Sequence, residues 1–274
     1  MKIVCHCLVK NEARFIWYSV MSVINYVDRI LLWDNGSNDE TLEIIKKILE
    51  TKESQEKIDF RIIRENFRNE DDIRQKMLDA TESDWFLVVD GDEIWWDDSI
   101  SKVIQLIKEE GDMLESIVVP TVNLVGDVYH YLEEKAGRYR LAGRMGHMNL
   151  RGINRKIPGL KSFGVEWDWG WVDKNNNMIQ NRDPKKNRYV EAPYLHATHL
   201  LRSGNIGQDL LAYRRKFKIK YEIGEEFPKD FYYPEVFFRN RPTIVTSPWA
   251  TMDRNYKLRA LLETPLKRIK RRIF

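Results

Sequence analysis

Apolar runs and amphipathic stretches alternate along the first half of the chain. Short apolar runs predict buried strands, and apolar residues at helical spacing predict the helices between them. The predicted elements are strand 2–8, helix 11–25, strand 29–33, helix 41–49, strand 58–63, helix 71–80, strand 85–89, helix 100–108 and strand 116–125. Because strands and helices alternate with short connections, this pattern predicts an α/β fold with a mostly parallel sheet flanked by helices.

The second half of the chain is less regular. From residue 126 to 188, glycines, aromatic residues and charged residues mix without clear periodicity. A long irregular stretch in an ordered protein is usually functional, so we expect this one to face a substrate. Residues 189–199 regain strand character, and basic helices are predicted over 206–221 and 257–273. We therefore expect one domain over residues 1–200 and a basic helical extension over residues 201–274.

A cluster of carboxylates follows the predicted strand 85–89. The residues are Asp90, Gly91, Asp92 and Glu93, and in open α/β sheets ligands bind beyond the carboxyl ends of the strands. Crowded carboxylates repel one another, and a hard divalent cation is a common way to stabilise them. Gly91 allows a tight turn and the close approach of a ligand. The alternative is an acidic turn that only caps the next helix.

Two more polar turns fall at the same edge of the predicted sheet. Lys10, Asn11 and Glu12 follow the first strand. The second strand is followed by Asp34, Asn35, Gly36, Ser37, Asn38, Asp39, Glu40 and Thr41. Helix capping by Asn38 or Asp39 and plain turn formation are the alternative explanations of these residues.

The three motifs, in this order, resemble those of glycosyltransferase family 2. They are most similar to the branch with an Asp-x-Asp-Glu motif, which includes lipopolysaccharide-core sugar transferases. The resemblance covers residues 1 to about 98, weakens to about 185 and returns at 196–203. It implies a GT-A (Rossmann-like) fold, a nucleotide-diphosphate sugar donor, a Mn²⁺ or Mg²⁺ ion and inversion at the anomeric carbon. UDP is favoured as the nucleotide because it is the commonest in the family.

The resemblance also implies roles for individual residues. The predicted nucleotide-sugar-binding residues are Lys10, Asn11, Glu12, Asp34, Asn35, Gly36, Ser37, Asp39, Arg74, Gln75, Asp90 and Gly91. Asp92 is predicted to bind the metal directly and Asp90 to contact the ribose or a metal-bound water, with His199 completing the site. His196, three residues earlier, is the alternative to His199. A solvated helix face is the alternative explanation of Arg74 and Gln75.

An inverting transfer needs a carboxylate that takes the proton of the acceptor. Glu166 and Asp168 are the candidates, because tryptophans that can stack on sugar rings surround them. Glu93 is the alternative base. The competing explanation is that the tryptophans belong to the core and both acids are solvated.

Charge is unevenly distributed over the 274 residues. Residues 201–274 contain 17 Lys and Arg against 8 Asp and Glu, whereas the whole chain has a net charge of only +3. The basic part can lie on an anionic membrane with Ile269, Ile273 and Phe274 inserted, which would suit a lipid-linked acceptor. A solvated tail is the alternative. A nucleic-acid partner is not expected, since no binding signature accompanies the charge.

Other features of the sequence bear on location. It has no apolar run of the roughly 20 residues that a membrane-spanning helix needs, and charged residues interrupt its apolar start. Cys5 and Cys7 are too close in one strand to pair well. We therefore expect a cytoplasmic protein, with peripheral contact at the inner face of the membrane.

Two other functions fit parts of the pattern. A non-catalytic protein that binds carbohydrate or nucleotide sugar would also use the tryptophans. A haloacid-dehalogenase-type phosphatase also places Asp-x-Asp after an apolar strand, but normally after its first strand, whereas three strands precede Asp90 here. A glycosyltransferase that moves a sugar to a glycan, a lipid-linked or another hydroxyl acceptor is the main prediction.

Overall fold

The computed structural model describes residues 1–63, 70–164, 169–204, 207, 209 and 217–273. Its strands are β1 (Ile3–Val9), β2 (Arg29–Asp34), β3 (Ile58–Ile62), β4 (Trp85–Val88), β5 (Glu93–Trp95), β6 (Ser116–Val125), β7 (Asp127–Tyr131), β8 (Tyr139–Leu141), β9 (Arg144–Gly146), β10 (Met148–Asn154), β11 (Lys161–Phe163), β12 (Gly170–Val172), β13 (Asn187–Tyr189), β14 (Tyr194–His196) and β15 (Glu225–Glu226). The helices are α1 (Ile16–Val23), α2 (Thr41–Leu49), α3 (Glu70–Asp79), α4 (Asp97–Glu110) and α5 (Arg254–Ile273).

One half of the central sheet is parallel. Strands β4, β1, β2 and β3 lie side by side in that order, and each pair is parallel. Every residue of β1 is buried, as expected for a strand with helices over both faces of the sheet. The predicted α/β fold is therefore confirmed. Helix α2 and strand β6 also have the predicted bounds.

Helix α1 is shorter than predicted. The sequence pattern placed its start at residue 11, but Asn11 has a φ of 55°, in the left-handed region. A residue in that region cannot begin a right-handed helix. The helix begins at Ile16 instead, so residues 10–12 are free to form a polar turn after β1.

Strands β10, β6, β7 and β15 form the antiparallel half of the sheet, in which only β6 was predicted, whereas β13 and β14 pair parallel with β6. Strand β10 lies between β4 and β6 and is antiparallel to both, and β7 and β15 continue the sheet beyond β6. The prediction that residues 126–188 lack regular elements is therefore wrong. Arg151 and Gly152 interrupt the apolar pattern of β10, and the register shifts at this point. Pairing with distant strands, rather than local periodicity, forms this strand.

The later part of the chain also departs from the predicted elements. Residues 189–199 form no single strand, because β13 ends at Tyr189 and β14 begins at Tyr194. Pro193, which has no N–H to donate to a ladder, lies in the gap. Most of the predicted helix 206–221 lies outside the described residues; of the rest, residues 207, 209, 217 and 218 are helical and residues 219–221 are not.

Residues after position 200 contribute to the main hydrophobic core. Phe227, Val236, Phe237 and Val245 belong to the same cluster as the buried side chains of β1 and α1. The division into residues 1–200 and 201–274 stays a prediction. Across the described ranges, no helix is both long and apolar enough to cross a membrane.

Candidate functional site

The turns after β1 and β4 touch each other. A Cβ atom added at Gly91 would lie 2.8 Å from Glu12 Cγ and 2.9 Å from Val9 Cγ1. Any side chain here would therefore force the two turns apart. Ser19 Oγ on α1 also donates a hydrogen bond to the carbonyl oxygen of Asp90, at 2.7 Å. The glycine thus brings the carboxylate turn against the turn that carries Glu12.

The turns after β1 and β2 are joined by hydrogen bonds. Asn11 N donates to Ser37 Oγ, and Asn38 N donates to Asn11 Oδ1, both at 2.8 Å. The left-handed backbone of Asn11 aims its side chain and its N–H at the second turn. Glu12 N donates to Thr41 Oγ1 at 2.8 Å. The three polar turns predicted to meet at this edge of the sheet therefore do so.

Asp34 is a buried carboxylate with one oxygen engaged. Its Oδ1 accepts hydrogen bonds from Gly36 N and Ser37 N, both at 3.0 Å. Its Oδ2 is buried and has no hydrogen-bond partner among the described residues. A buried acceptor without a partner is costly, so this oxygen is suited to accept from a ligand.

The other predicted residues of these two turns have mixed surroundings. Lys10 is exposed, and Asn35 N donates to the carbonyl oxygen of Val9 at 2.8 Å. Asp39 Oδ1 accepts from Thr41 N at 3.1 Å, at the start of α2. Asp39 therefore accepts from the first residue of α2 without being its N-cap, which is Glu40, and its nucleotide-binding role stays a prediction.

Two arginines flank Asp90. Arg74 Nη2 lies 2.9 Å from Asp90 Oδ1, and Arg151 Nη2 lies 3.5 Å from Oδ2. Burial acts to raise the pKa of Asp90, but these two guanidinium groups hold it well below its usual range. Asp90 is therefore ionised at neutral pH and remains partly open to solvent, with a side chain 29% exposed.

Glu93 lies in a closed network behind the two aspartates. Its side chain is fully buried, pairs with Arg151 Nη2 and accepts from Tyr194 OH at 2.9 Å. Arg151 Nε also donates to Tyr194 OH at 3.1 Å. Burial, and then Asp90 and Asp92, raise the pKa of Glu93 to about 8. Arg151 and Tyr194 therefore fix this carboxyl group inside the protein.

Asp92 is held by a third arginine. Arg202 Nη1 lies 2.5 Å from Asp92 Oδ2 and 3.1 Å from Glu12 Oε1, and thus joins two of the turns. The Asp92 side chain is 1% exposed, and its Oδ1 has no hydrogen-bond partner in the described part of the chain. Burial acts to raise the pKa of Asp92, but Arg202 and His196 bring it below its ordinary value.

His196, rather than His199, is the histidine beside the carboxylates. His196 Nε2 lies 3.7 Å from Asp92 Oδ2 and 3.9 Å from Glu93 Oε1. Burial lowers the pKa of His196 to about 4, so the ring is neutral at pH 7 and can act as a ligand. His199 Nδ1 instead donates to the carbonyl oxygen of Lys218 at 2.7 Å. As the metal ligand, the geometry therefore favours His196, which was the alternative, over His199, which the sequence favoured.

The residues fit a divalent cation only in part. Asp92 Oδ1 and the neutral His196 are suitable donors, but Arg202 lies against Asp92 Oδ2. Within the described residues, no group of three or more His, Cys, Asp or Glu side chains is arranged to hold a metal ion. A cation at Asp92 must use Oδ1 or displace the Arg202 guanidinium from Oδ2.

Arg74 faces the site, whereas Gln75 is engaged elsewhere. The Arg74 guanidinium stacks over the Trp169 ring at 4.4 Å, and its Nε and Nη1 are buried with no hydrogen-bond partner among the described residues. Gln75 Nε2 donates to Asp79 Oδ1, and Gln75 Oε1 accepts from Ser162 N, both at 2.8 Å. Gln75 therefore joins α3 to β11, and its predicted contact with the donor stays a prediction.

The two favoured candidates for the base, Glu166 and Asp168, lie outside the described residues. Their neighbour Trp171 is buried and packs edge-on against Phe86, with ring centroids 4.9 Å apart. Trp171 is therefore a core residue, as the competing explanation held. Trp169, over Arg74, is the tryptophan that lies at the site.

Arg151, Tyr194 and Arg202 are site residues that sequence reasoning missed. Tyr194 lies two residues before His196, and Arg202 lies in the stretch 196–203 where the resemblance to family 2 returns. Their closeness to His196 in the sequence was therefore a signal that could have identified them. Arg151 had no local signal, because β10 itself was not predicted. Charge balance was a clue, since five buried or half-buried acids at one edge of a sheet require nearby cations.

Comparison with solved structures gives matches at low identity. S. aureus TarS 1–349 in complex with UDP is 12% identical, with a TM-score of 0.47 over 80% of this chain and 70% of that one. Glucosyl-3-phosphoglycerate synthase from Mycobacterium tuberculosis, in complex with Mn²⁺ and UDP-glucose, is 13% identical, with a TM-score of 0.46 over 78% and 75%. TarS 1–349 with UDP-GlcNAc is 20% identical, with a TM-score of 0.37 over 46% of this chain and only 36% of that one.

Comparison by sequence identifies the family. No curated protein matches the chain. Residues 7–197 match the model of the family described as glycosyl transferase family 2. This match covers well over half of the chain, from β1 to the end of β14, and includes all three polar turns. The chain therefore belongs to glycosyl transferase family 2 and has its GT-A fold.

Proposed function

We propose that this glycosyltransferase moves a sugar from a nucleotide-diphosphate sugar, with UDP as the favoured nucleotide, to a hydroxyl group of a glycan or lipid-linked acceptor. One observation carries the proposal. At the junction of the three turns, Asp34 Oδ2 and Asp92 Oδ1 are buried carboxylate oxygens without hydrogen-bond partners in the described structure. Asp34 Oδ2 is suited to accept hydrogen bonds from the nucleoside of a nucleotide diphosphate. Asp92 Oδ1 is suited to bind a metal ion held by its phosphates.

Asp34 is proposed to bind the nucleoside. Its Oδ2 is available to accept from the base or the ribose, while Gly36 N and Ser37 N fix Oδ1. Because the carboxylate is already oriented by these two bonds, it loses little freedom when it binds a ligand.

Arg74 is proposed to act on the diphosphate. Its Nη2 is paired with Asp90, but Nε and Nη1 remain without partners inside the described structure. A guanidinium whose N–H groups can still donate hydrogen bonds stabilises the negative charge that develops on the leaving nucleoside diphosphate. Stacking over Trp169 limits the rotation of this side chain.

Asp92 and His196 are proposed to hold a Mn²⁺ or Mg²⁺ ion, and Asp90 to contact it through water or to bind the ribose. When bound, such an ion neutralises charge on the diphosphate oxygens. Arg202 joins Asp92 to Glu12 in this structure. We propose that Arg202 also keeps the acidic turn together when no donor is present.

In an inverting transfer the acceptor hydroxyl attacks the anomeric carbon. The bond from that carbon to the diphosphate breaks, and a carboxylate takes the hydroxyl proton. Glu166 and Asp168 remain the proposed bases. Glu93 is assigned a positioning role, because it is fully buried and already bound to Arg151 and Tyr194. This network orients Asp90 and His196 from behind.

The rival functions make different predictions. A phosphatase of the haloacid-dehalogenase type is disfavoured, because the chain belongs to family 2 and Asp90 follows the fourth strand rather than the first. A non-catalytic protein of the same family would bind a nucleotide sugar without consuming it. Turnover of the donor separates that function from the proposed one. A cytoplasmic location also stays a prediction.

Nucleotide binding is expected to raise the melting temperature of the full chain. We expect a shift with UDP in the presence of Mn²⁺, because a ligand that binds only the folded state stabilises it by about 2.7 kcal/mol at 100 times its Kd. The measurement compares UDP, GDP, dTDP and CMP, each with and without Mn²⁺, and Mn²⁺ alone is the control. If none of the four nucleotides shifts the transition, the site has no nucleotide ligand and the proposal is wrong.

A further inference from the structure

Helix α5 has a row of exposed apolar side chains. They are Leu258, Leu261, Leu262, Leu266 and Ile269. Their spacing of three and four residues places them on one face of the helix. Leu262 is 77% exposed and Leu266 is 70% exposed. Single exposed leucines are ordinary, but a continuous row of this kind marks an interaction surface. We call this row the leucine face.

The opposite face of α5 is fixed to the protein. Ala260 and Thr264 are buried, and Thr264 Oγ1 accepts from Ile223 N at 2.8 Å. Lys267 Nζ donates to the carbonyl oxygen of Tyr221 at 2.9 Å. Tyr256 OH donates to that of Lys220 at 2.5 Å. Because these contacts hold the helix in one rotational position, it cannot turn the leucine face towards the core.

Basic residues border the leucine face on both sides. At 100° per residue, Lys257, Arg268 and Arg272 lie along one margin, and Arg259 and Lys270 along the other. Glu263 is the single acid in the sequence of α5, and it is already paired with Arg259 at 2.6 Å and Lys267 at 2.8 Å. The surface therefore combines an apolar centre with positive edges.

We propose that the leucine face of α5 binds an anionic lipid bilayer, with the helix lying in the plane of the membrane surface. The leucines insert between the headgroups, and the bordering Lys and Arg side chains contact lipid phosphates. A second copy of the chain is a poorer partner, since pairing two leucine faces would bring their positive margins together. Charge complementarity thus selects the anionic membrane.

The surface differs from the one predicted from the sequence. Of the residues expected to insert, Ile269 belongs to the leucine face, whereas the side chain of Ile273 and the whole of Phe274 lie outside the described residues. Most of the apolar area comes from the leucines before Ile269. The basic helix predicted over 257–273 is confirmed as α5, and the structure adds that this helix is docked and has a defined outer face.

A short segment connects this helix to the candidate site. Lys267 and Thr264 bind Tyr221 and Ile223, and in the same segment the carbonyl oxygen of Lys218 accepts from His199. A bilayer on the leucine face is therefore separated from the histidine stretch by α5 and this one segment. Delivery of a lipid-linked acceptor by this route rests on the proposed function, whereas membrane binding itself does not.

Vesicle flotation of the full chain tests the surface. We expect binding to phosphatidylcholine vesicles that contain phosphatidylglycerol, and much weaker binding to phosphatidylcholine alone. The double variant Leu261→Glu/Leu262→Glu places two acids on the leucine face, and we expect it to bind anionic vesicles at least about tenfold more weakly. Both side chains are exposed, so the melting temperature should not fall.

The control variant is Met113→Glu/Met145→Glu. Both methionines are 65% exposed and lie outside α5, so this variant has the same added charge and should bind vesicles as the parent does. Equal binding by the leucine variant and the parent would overturn the proposal. So would a parent that is dimeric, binds no vesicles and becomes monomeric in the leucine variant. Donor turnover without vesicles should be unchanged, which separates this test from a failure of the proposed function.

Discussion

Replacing Asp92 with asparagine is expected to lower kcat/KM for sugar transfer about 100-fold or more. Asparagine preserves the size of the side chain but removes the charge that the proposed cation requires. Removing one well-placed group that stabilises transition-state charge typically has an effect of this size. The metal-dependent shift of the melting temperature with UDP should disappear in the same variant, whereas the fold should persist. Steady-state kinetics with a range of Mn²⁺ concentrations measures the effect.

Asp98→Asn is the matched control for this substitution. Asp98 lies six residues further on in α4, and its side chain is 74% exposed, so the same change of charge should leave turnover almost unaffected. If Asp92→Asn unfolds the protein or leaves turnover intact, the carboxylate has a structural role as an acidic turn. The assignment of Asp92 to the metal would then be wrong.

At about pH 9, where Glu93 is ionised, replacing Arg151 with methionine is expected to lower the free energy of unfolding by about 3–5 kcal/mol. The substitution leaves Glu93, which is fully buried, without its cation and removes one of the two arginines beside Asp90. A buried carboxylate that loses its paired guanidinium is far more costly than a broken surface pair. Urea denaturation, monitored by tryptophan fluorescence, gives the free energy.

The loss in Arg151→Met should depend on pH. Burial already raises the pKa of Glu93 to about 8 in the folded protein, from 4.5 as the ordinary value. A carboxyl group with a raised folded-state pKa stabilises the fold most when it is protonated, so stability falls as pH rises towards the folded-state pKa. Without Arg151 the pKa rises further. We therefore expect a smaller loss at about pH 5, where Glu93 is protonated in both folded proteins, than at about pH 9, where it is ionised in the parent.

Two further variants separate charge from packing. In Arg151→Met/Glu93→Gln neither buried charge remains, so most of the lost stability should return. Arg188→Met, which breaks an exposed pair with Glu110, should lower stability by less than about 1 kcal/mol. A loss in Arg151→Met no larger than that in Arg188→Met would contradict the buried network around Glu93.

The parallel half of the sheet was predictable because its strands can be recognised from short apolar runs, without knowledge of residues distant in the sequence. Apolar runs of β1, β2 and β4 end in polar residues, and parallel strands bring their carboxyl ends to one edge. The meeting of the turns that carry Glu12 and Asp92 follows from this topology alone. Helix α2 was predicted with its true bounds because its apolar positions have a clear helical period.

The antiparallel half was not predictable in the same way. Strand β10 carries Arg151 and Gly152 in its centre, and its place beside β4 depends on partners distant in sequence. Arg151 reaches Glu93 only because of that placement. Sequence reasoning therefore found the acids of the site and Arg74, but not Arg151 and Arg202, which also balance those acids.

The choice between His196 and His199 needed three-dimensional information as well. Both histidines follow β6 in the chain and lie three residues apart, so either one was a reasonable metal ligand. The antiparallel pairing of β14 with β5 places His196 opposite Glu93. That register, rather than any property of the histidines, brings His196 to Asp92.

The most direct test of the proposed function is the release of UDP from UDP-sugars by the full chain, measured with and without Mn²⁺. We expect slow release from at least one UDP-sugar, a faster reaction when the correct acceptor is supplied, and loss of both on addition of EDTA. Asp92→Asn should behave as the parent does with EDTA. Binding of UDP without release from any UDP-sugar, in the presence of glycan and lipid-linked acceptors, would contradict the transferase and identify a binding protein.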